Sequence, residues 1–279
     1  MPADLWSETY RGTVFRWEVD ANDHLTVAYY LARFGDAAAN VLHALGLPPA
    51  AATMDCYIRY TRELRVGDLM HVESAVIGVD ADGLVLGHRL LESTDGALCT
   101  TVEHRLAVAL DAGRRRAVEA RRAAWDGPPR ERRPRPATLD GFVPSARDAV
   151  RASEVDGAGR LSLAAAVHRF SAANAHATAA FGLTPRYMRE AHRGFSTFEF
   201  QLDFAGGVGV GDPIAVRSAL THVGNSSMRM LHVMTDERTG QRVATLEQSG
   251  VHLDLDARRP APLPDALRDA ARALLVPTG

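Results

Sequence analysis

Lysine is absent: all 32 basic residues of this chain are arginine. That excludes Schiff-base chemistry, a P-loop lysine and a Ser-Lys dyad at once. Cysteine is scarce. Cys56 and Cys99 alone are too few for a disulfide framework or a cysteine-built zinc site. No apolar run approaches the roughly 18 residues of a membrane helix. Residues 1–10 are polar and acidic, unlike a basic-then-apolar leader. The expectation is a cytoplasmic protein with no membrane segment and no metal or other cofactor. A strong charge of one sign is missing too. The net charge of −2 offers no basic field to nucleic acid.

Core material is abundant. Hydrophobic residues make up 46% of the 279, against 24% charged. That suits two domains of about 140 residues or one large one. An internal repeat decides between them. Val14 to Leu47 lies on Val150 to Leu183 without a gap. Thirteen positions are identical, among them Glu18, Asp20, Leu25, Arg33, Phe34 and Gly46. Chance gives roughly three in so alanine-rich a stretch. Further on, Gly67-Asp68 answers Gly211-Asp212, and Leu110-Asp111 answers Leu255-Asp256. The chain reads as an N-terminal unit over 1–112, an Arg/Pro-rich linker over 113–140 and a C-terminal unit over 141–279. The Pro/Arg-rich end of the linker, Gly127 to Pro136, fits neither regular helix nor central strand. It reads as an exposed connector, with attraction of phosphate groups as the functional alternative.

Each copy carries the same pattern. An extended stretch, Tyr10 to Trp17, precedes a polar loop. Leu31, Phe34, Ala38, Val41, Leu42 and Leu45 then recur at helical spacing, predicting a helix over about 27–45 closed by Gly46. Four strand-like runs follow as a meander: Cys56 to Leu64, Met70 to Val79, Leu84 to Ser93 and Ala97 to Leu110. The second copy predicts a helix over 162–181, four more strands and a last helix from Asp265. One long apolar helix and an antiparallel sheet must bury their apolar faces against each other, so the class is α+β.

The loop before the first helix reads Glu18-Val19-Asp20-Ala21-Asn22-Asp23-His24-Leu25. Asp20, Asn22 and His24 alternate, so an extended loop would project all three to one side. A carboxylate, a carboxamide and an imidazole would converge before a helix N-terminus, whose unpaired N–H groups suit a developing oxyanion. The structural alternative is that Asp20 and Asn22 make turn bonds while His24 packs on the helix.

Asp20-Ala21-Asn22-Asp23-His24-Leu25, running on to Tyr29-Tyr30-Leu31, resembles the signature of hotdog-fold thioesterases. Asp20 and Tyr30 fall on the catalytic aspartate and the tyrosine of the 4-hydroxybenzoyl-CoA thioesterase branch. Asp20, Asn22 and His24 match the Asp-x-Asn-x-His of plant acyl-ACP thioesterases, with Thr26 and Val27 in place of paired asparagines. The resemblance implies a tandem, or double, hotdog in one chain. It implies an acyl-CoA or acyl-ACP substrate, and leaves open a homo-oligomer of such chains. It places catalysis on Asp20, Asn22 and His24, as base or nucleophile and its supports. Backbone N–H groups near Val27 and Ala28 would bind the substrate oxyanion, with Tyr30 beside them. Copy two keeps Asp156 but has Ala158, Arg160 and Ala166 for Asn22, His24 and Tyr30, so one competent loop is expected. Asp156 itself reads as a turn residue.

Two other functions compete. One is a hotdog hydratase or dehydratase, disfavoured by the short Asp20-to-His24 gap. The other is a non-catalytic acyl-thioester binder, disfavoured by the retained Asp/Asn/His set. Gly-x-Ser-x-Gly is missing, which excludes the α/β-hydrolase type of thioesterase. Asp36 on the first helix is a further acid to place, while His43, His168 and His176 read as packing or surface residues.

Overall fold

The computed structural model describes residues 5–20 and 22–278. The chain divides into two compact units. The first runs to Pro129 and includes Asp156–Ala158 and Ser162–Ala164; the second takes the rest from Arg130.

In the first unit, β1 (Ser7–Thr13) leads through a short 3-10 turn to α1 (Val27–Ala44). Then come β2 (Ala52–Tyr60), β3 (Leu69–Val79), β4 (Gly83–Glu92) and β5 (Leu98–Ala107). The strands are antiparallel in the order β1-β3-β4-β5-β2. β3, β4 and β5 form the expected meander. β2 corrects it: β2 pairs with β5, Ile58 opposite Val102, and not with its sequence neighbour β3. The cause is α1. A helix of 18 residues is about 27 Å long, enough to carry the chain from the β1 edge to the opposite one.

α1 forms where the 3.6-residue period predicts it. Leu31, Phe34 and Leu42 are its buried face, and the sheet answers with Leu84, Leu86 and Leu106. Gly46, at φ +66°, closes the helix in the left-handed conformation, and Leu47 N donates to Leu42 O at 2.8 Å. A buried polar row lies within the same unit. Thr9 Oγ1 meets Ser74 Oγ at 2.7 Å, and Ser74 Oγ meets His88 Nδ1 at 2.6 Å. His104 Nε2 lies 2.9 Å from Thr53 Oγ1. Burial lowers both imidazoles, His104 to about 4 and His88 well below its ordinary value, so both are neutral near pH 7.

The second unit repeats the plan. β6 (Val143–Ala149) and α3 (Leu163–Ala179) precede a short α4 (Pro185–Glu190). β7 (Arg193–Phe204), β8 (Pro213–Val223), β9 (Ser227–Asp236) and β10 (Arg242–Asp254) follow. The order is β7-β10-β9-β8-β6, the mirror listing of the first unit. Even the polar row recurs: Ser145 Oγ meets Ser218 Oγ, and Ser218 Oγ meets His232 Nδ1, each at 2.6 Å. A two-residue β11 (Arg259–Pro260) and α5 (Asp265–Ala273) end the chain.

Two readings need correction. Tyr10 to Trp17 is not extended throughout, because β1 ends at Thr13 and Arg16–Glu18 turn as 3-10 helix. The segment read as an exposed connector is held down. The element α2 (Ala112–Glu119) forms there with Asp111 as its cap, and Val118 and Ala123 are buried. Trp125 Nε1 donates to Glu103 at 3.0 Å. Further on, Arg133 donates to Glu199 at 2.5 Å and Glu247 at 2.6 Å. Strand carboxylates turned away from the helices are buried only if donors reach them, and this segment supplies the donors. Its stretch beyond α2 is, as expected, without regular structure up to β6. Among the described residues, no helix is long and apolar enough to cross a membrane.

Candidate active site

The loop after the 3-10 turn is a closed turn, which corrects the extended reading. Val19 and Leu25 bridge its two ends. Asp20 N donates to His24 O at 2.8 Å, and Asp23 N to Asp20 O at 3.1 Å. Asp23 sits at φ +63°, a conformation that aspartate tolerates in tight turns. Ala21 lies outside the described residues. Asp20 Oδ1 accepts from Asn22 N at 2.8 Å and from His24 N at 3.2 Å. The carboxylate thus fixes the loop through one oxygen. Oδ2 has no hydrogen bond among the described residues, and the side chain is exposed.

The three predicted residues share one turn but do not bond to one another through their side chains. Asn22 is half-buried. His24 is half-buried, and its Nε2 lies 3.1 Å from Oε2 of Glu63. Glu63 follows β2, and Leu25 N donates to Leu64 O at 2.7 Å, which brings the two segments together. Sequence reasoning missed Glu63. The repeat held the signal: Leu161 N donates to Val208 O at 2.8 Å, so Arg160 answers His24 and Gly207 answers Glu63. The imidazole and the acid change together between the copies.

Glu18, also acidic, has a different part. It is buried, paired with Arg33, and accepts from Phe15 N at 3.1 Å. Glu154 and Arg169 repeat the pair at 2.7 Å. These two identities, four residues in all, hold the turn to the helix in both copies.

Val27 and Ala28 open α1 behind Thr26, which makes no side-chain cap bond. Helix geometry leaves their N–H groups without intrahelical partners. Ala28 is fully buried and Val27 half-buried. Tyr30 is buried, and its hydroxyl accepts from Leu64 N at 3.2 Å, so it holds the segment that carries Glu63. Burial raises its pKa strongly. Asp36, His43, His168 and His176 are exposed on the helices. Among the described residues, no three His, Cys, Asp or Glu are placed to share a metal ion.

A model of the thioesterase-like superfamily matches residues 14–127 and again residues 150–271. The chain belongs to the thioesterase-like superfamily. The match in two segments bears out both the resemblance read from Asp20–Leu25 and the internal repeat. The fold agrees. An acyl-ACP thioesterase from Bacteroides thetaiotaomicron superposes with a TM-score of 0.68 at 12% identity, covering 88% of this chain and 98% of that one. The 12:0-ACP thioesterase from Umbellularia californica gives 0.66 at 11%, covering 89% and 94%. This superfamily member therefore has a hotdog-like thioesterase fold in two repeats. An L-carnitine dehydrogenase/betainyl-CoA thioesterase from Agrobacterium fabrum is 35% identical over 95 residues, which is 32% of this chain and 19% of that protein. The chain thus spans about a fifth of that curated relative's length.

Asp156 repeats part of the turn that Asp20 makes. Its Oδ1 accepts from Ala158 N at 2.8 Å, the same turn bond that Asp20 makes with Asn22 N. That bond alone does not mark a reactive loop. Besides Asn22 and Tyr30, the first copy differs by the His24–Glu63 pair.

Proposed function

We propose that this thioesterase-superfamily chain hydrolyses an acyl thioester, acyl-CoA or acyl-ACP, to a free acid and a thiol. The single supporting observation is the loop of the N-terminal copy, where Asp20 Oδ2 has no hydrogen bond among the described residues and Oδ1 accepts from the N–H of His24, the residue paired with Glu63. The chain is organised for this as a double hotdog, with units over 1–112 and 141–279 and a linker over 113–140.

The mechanism follows from the leaving group. A thiol of pKa about 8.5 departs as thiolate, so protonating it is not essential. Asp20 Oδ2 takes the proton of a water whose oxygen attacks the thioester carbonyl. The carbonyl oxygen becomes an oxyanion held by the N–H groups of Val27 and Ala28. The oxyanion collapses, the C–S bond breaks, acid and thiolate leave, and Asp20 returns its proton to the thiolate or to water. Asn22 and His24 position the water, and Glu63 fixes the imidazole tautomer and orientation. Direct attack by Asp20 would form an anhydride instead. Single turnover in heavy-oxygen water separates the routes, because only the anhydride route labels Asp20.

A panel of acyl-CoA and acyl-ACP substrates, read by thiol release, tests the proposal. Release from at least one acyl class supports it. No release from any, with hydration of an enoyl-CoA, assigns a lyase instead. Binding without turnover of either kind assigns a non-catalytic acyl-thioester binder.

A further inference from the structure

The faces of the two sheets turned away from the helices are finished differently. In the first unit, Gly87 of β4 makes room for an indole: a Cβ there would stand 2.9 Å from Trp125. Trp6 stacks on Trp125 with centroids 6.1 Å apart, and the Arg89 guanidinium lies 3.8 Å from the Trp6 centroid. Two rings and a guanidinium fill that face.

The hydrogen-bonded rows identify the counterparts. Ser74–His88 and Ser218–His232 are the same pair, so Leu231 answers Gly87 and Val233 answers Arg89. Thr9–Ser74 and Ser145–Ser218 likewise make Phe142 the counterpart of Trp6. Trp125 has no aromatic counterpart. Arg133 bonds Glu247 where Trp125 bonds Glu103. Beside it, within the second unit, remains an open groove of about 500 Å³. Its lining includes Leu231, Val233, Phe142 and Thr245, all buried, and the exposed Arg242.

Charge and shape narrow the occupant. Arg135 also borders the groove, but it is held by Asp203 at 2.7 Å, a carboxylate that Arg130 reaches as well at 3.4 Å. Among the described residues, the Arg242 side chain has no carboxylate partner. The guanidinium of Arg242 is thus the fork left open to one incoming carboxylate. The volume is that of a small-molecule site. The apolar floor lies where the other unit packs flat rings.

We propose that this groove binds a small planar aromatic carboxylate, with its ring on Leu231, Val233 and Phe142 and its carboxylate on Arg242. The site belongs to the second unit and is independent of the Asp20 chemistry.

The experiment titrates a naphthoate into the full chain, followed by ligand-observed NMR and calorimetry. Saturable binding is expected at one site per chain, with a Kd of about 1 mM or tighter for so small a ligand. The neutral naphthamide, and separately Arg242→Ala, each weaken binding about tenfold by losing a charge-assisted pair. Val233→Arg installs the counterpart of Arg89 in the groove and abolishes binding. Arg242 is exposed, so Arg242→Ala decides the matter even if Val233→Arg fails to fold. The proposal is overturned if the unmodified chain shows no saturable binding. It is overturned equally if Arg242→Ala binds as the parent does, or if Asp20→Asn, and not Arg242→Ala, loses the ligand.

Discussion

His24 and Glu63, far apart in sequence, meet at 3.1 Å between Nε2 and Oε2. At the corresponding positions of the second unit, the side chain of Arg160 lies 3.5 Å from where a Cβ on Gly207 would stand. The same two places touch in both units, but only the first holds an imidazole and an acid. Loss of the acid where the imidazole is lost is what a working pair predicts.

Glu63→Gln keeps a hydrogen-bonding group and removes the charge. In the proposed mechanism Glu63 acts through His24, as a positioning residue. Turnover should fall about 10- to 100-fold with KM nearly unchanged, and Glu63→Asp should restore part of the loss. Steady-state thiol release with both variants checks this. A turnover within twofold of the parent for Glu63→Gln would remove Glu63 from the mechanism.

Arg33→Met leaves the buried Glu18 without its cation. Stability should drop by about 3–5 kcal/mol, the cost of breaking a buried pair from one side. Arg169→Met should cost at least as much, because Arg169 holds Asp148 at 3.0 Å as well as Glu154 at 2.7 Å. Urea unfolding of the two variants measures the difference. Equal small losses would mean that neither pair is needed to hold its turn.

Acid should destabilise the fold through its buried imidazoles. His104 and His232 are lowered by burial to about 4, and His88 is lowered as well. Below about 6.5 the unfolded chain takes up protons that the folded chain refuses, so unfolding gains. For His104 and His232 the stability present above pH 6.5 is lost as the pH falls towards 4, by roughly 3 kcal/mol each at most. His104→Gln places there the residue type of its counterpart, Gln248, and should flatten this slope. Denaturant unfolding between pH 7.5 and pH 5, a window of about the titration range, reads it directly. An unchanged slope would contradict the assignment.

Much of this was legible from the residues. The helical period of Leu31, Phe34 and Leu42 placed α1, and Gly46 marked its end, because both signals are local. The repeat followed from identities such as Glu18 and Arg33, which proved to be a buried pair. The neighbour of β2 was not legible, since a period of two tells which face a strand buries but not which strand lies beside it. Arg133 read as solvated because its partners, Glu199 and Glu247, lie far away in sequence on strands. For the site, Asp20, Asn22 and His24 stood out as a local pattern. Glu63 did not, because its pairing with His24 is set by the long-range bond from Leu25 to Leu64.

The most direct test compares Asp20→Asn with Asp156→Asn in thiol release from the best acyl-CoA or acyl-ACP substrate. Both aspartates make the same turn bond, but only Asp20 stands beside a His–Glu pair. Asp20→Asn should lower turnover about 10²-fold or more while substrate binding changes little, and Asp156→Asn should stay within about threefold of the parent. Equal losses in both variants, or full activity in Asp20→Asn, would contradict a single reactive loop in the N-terminal copy.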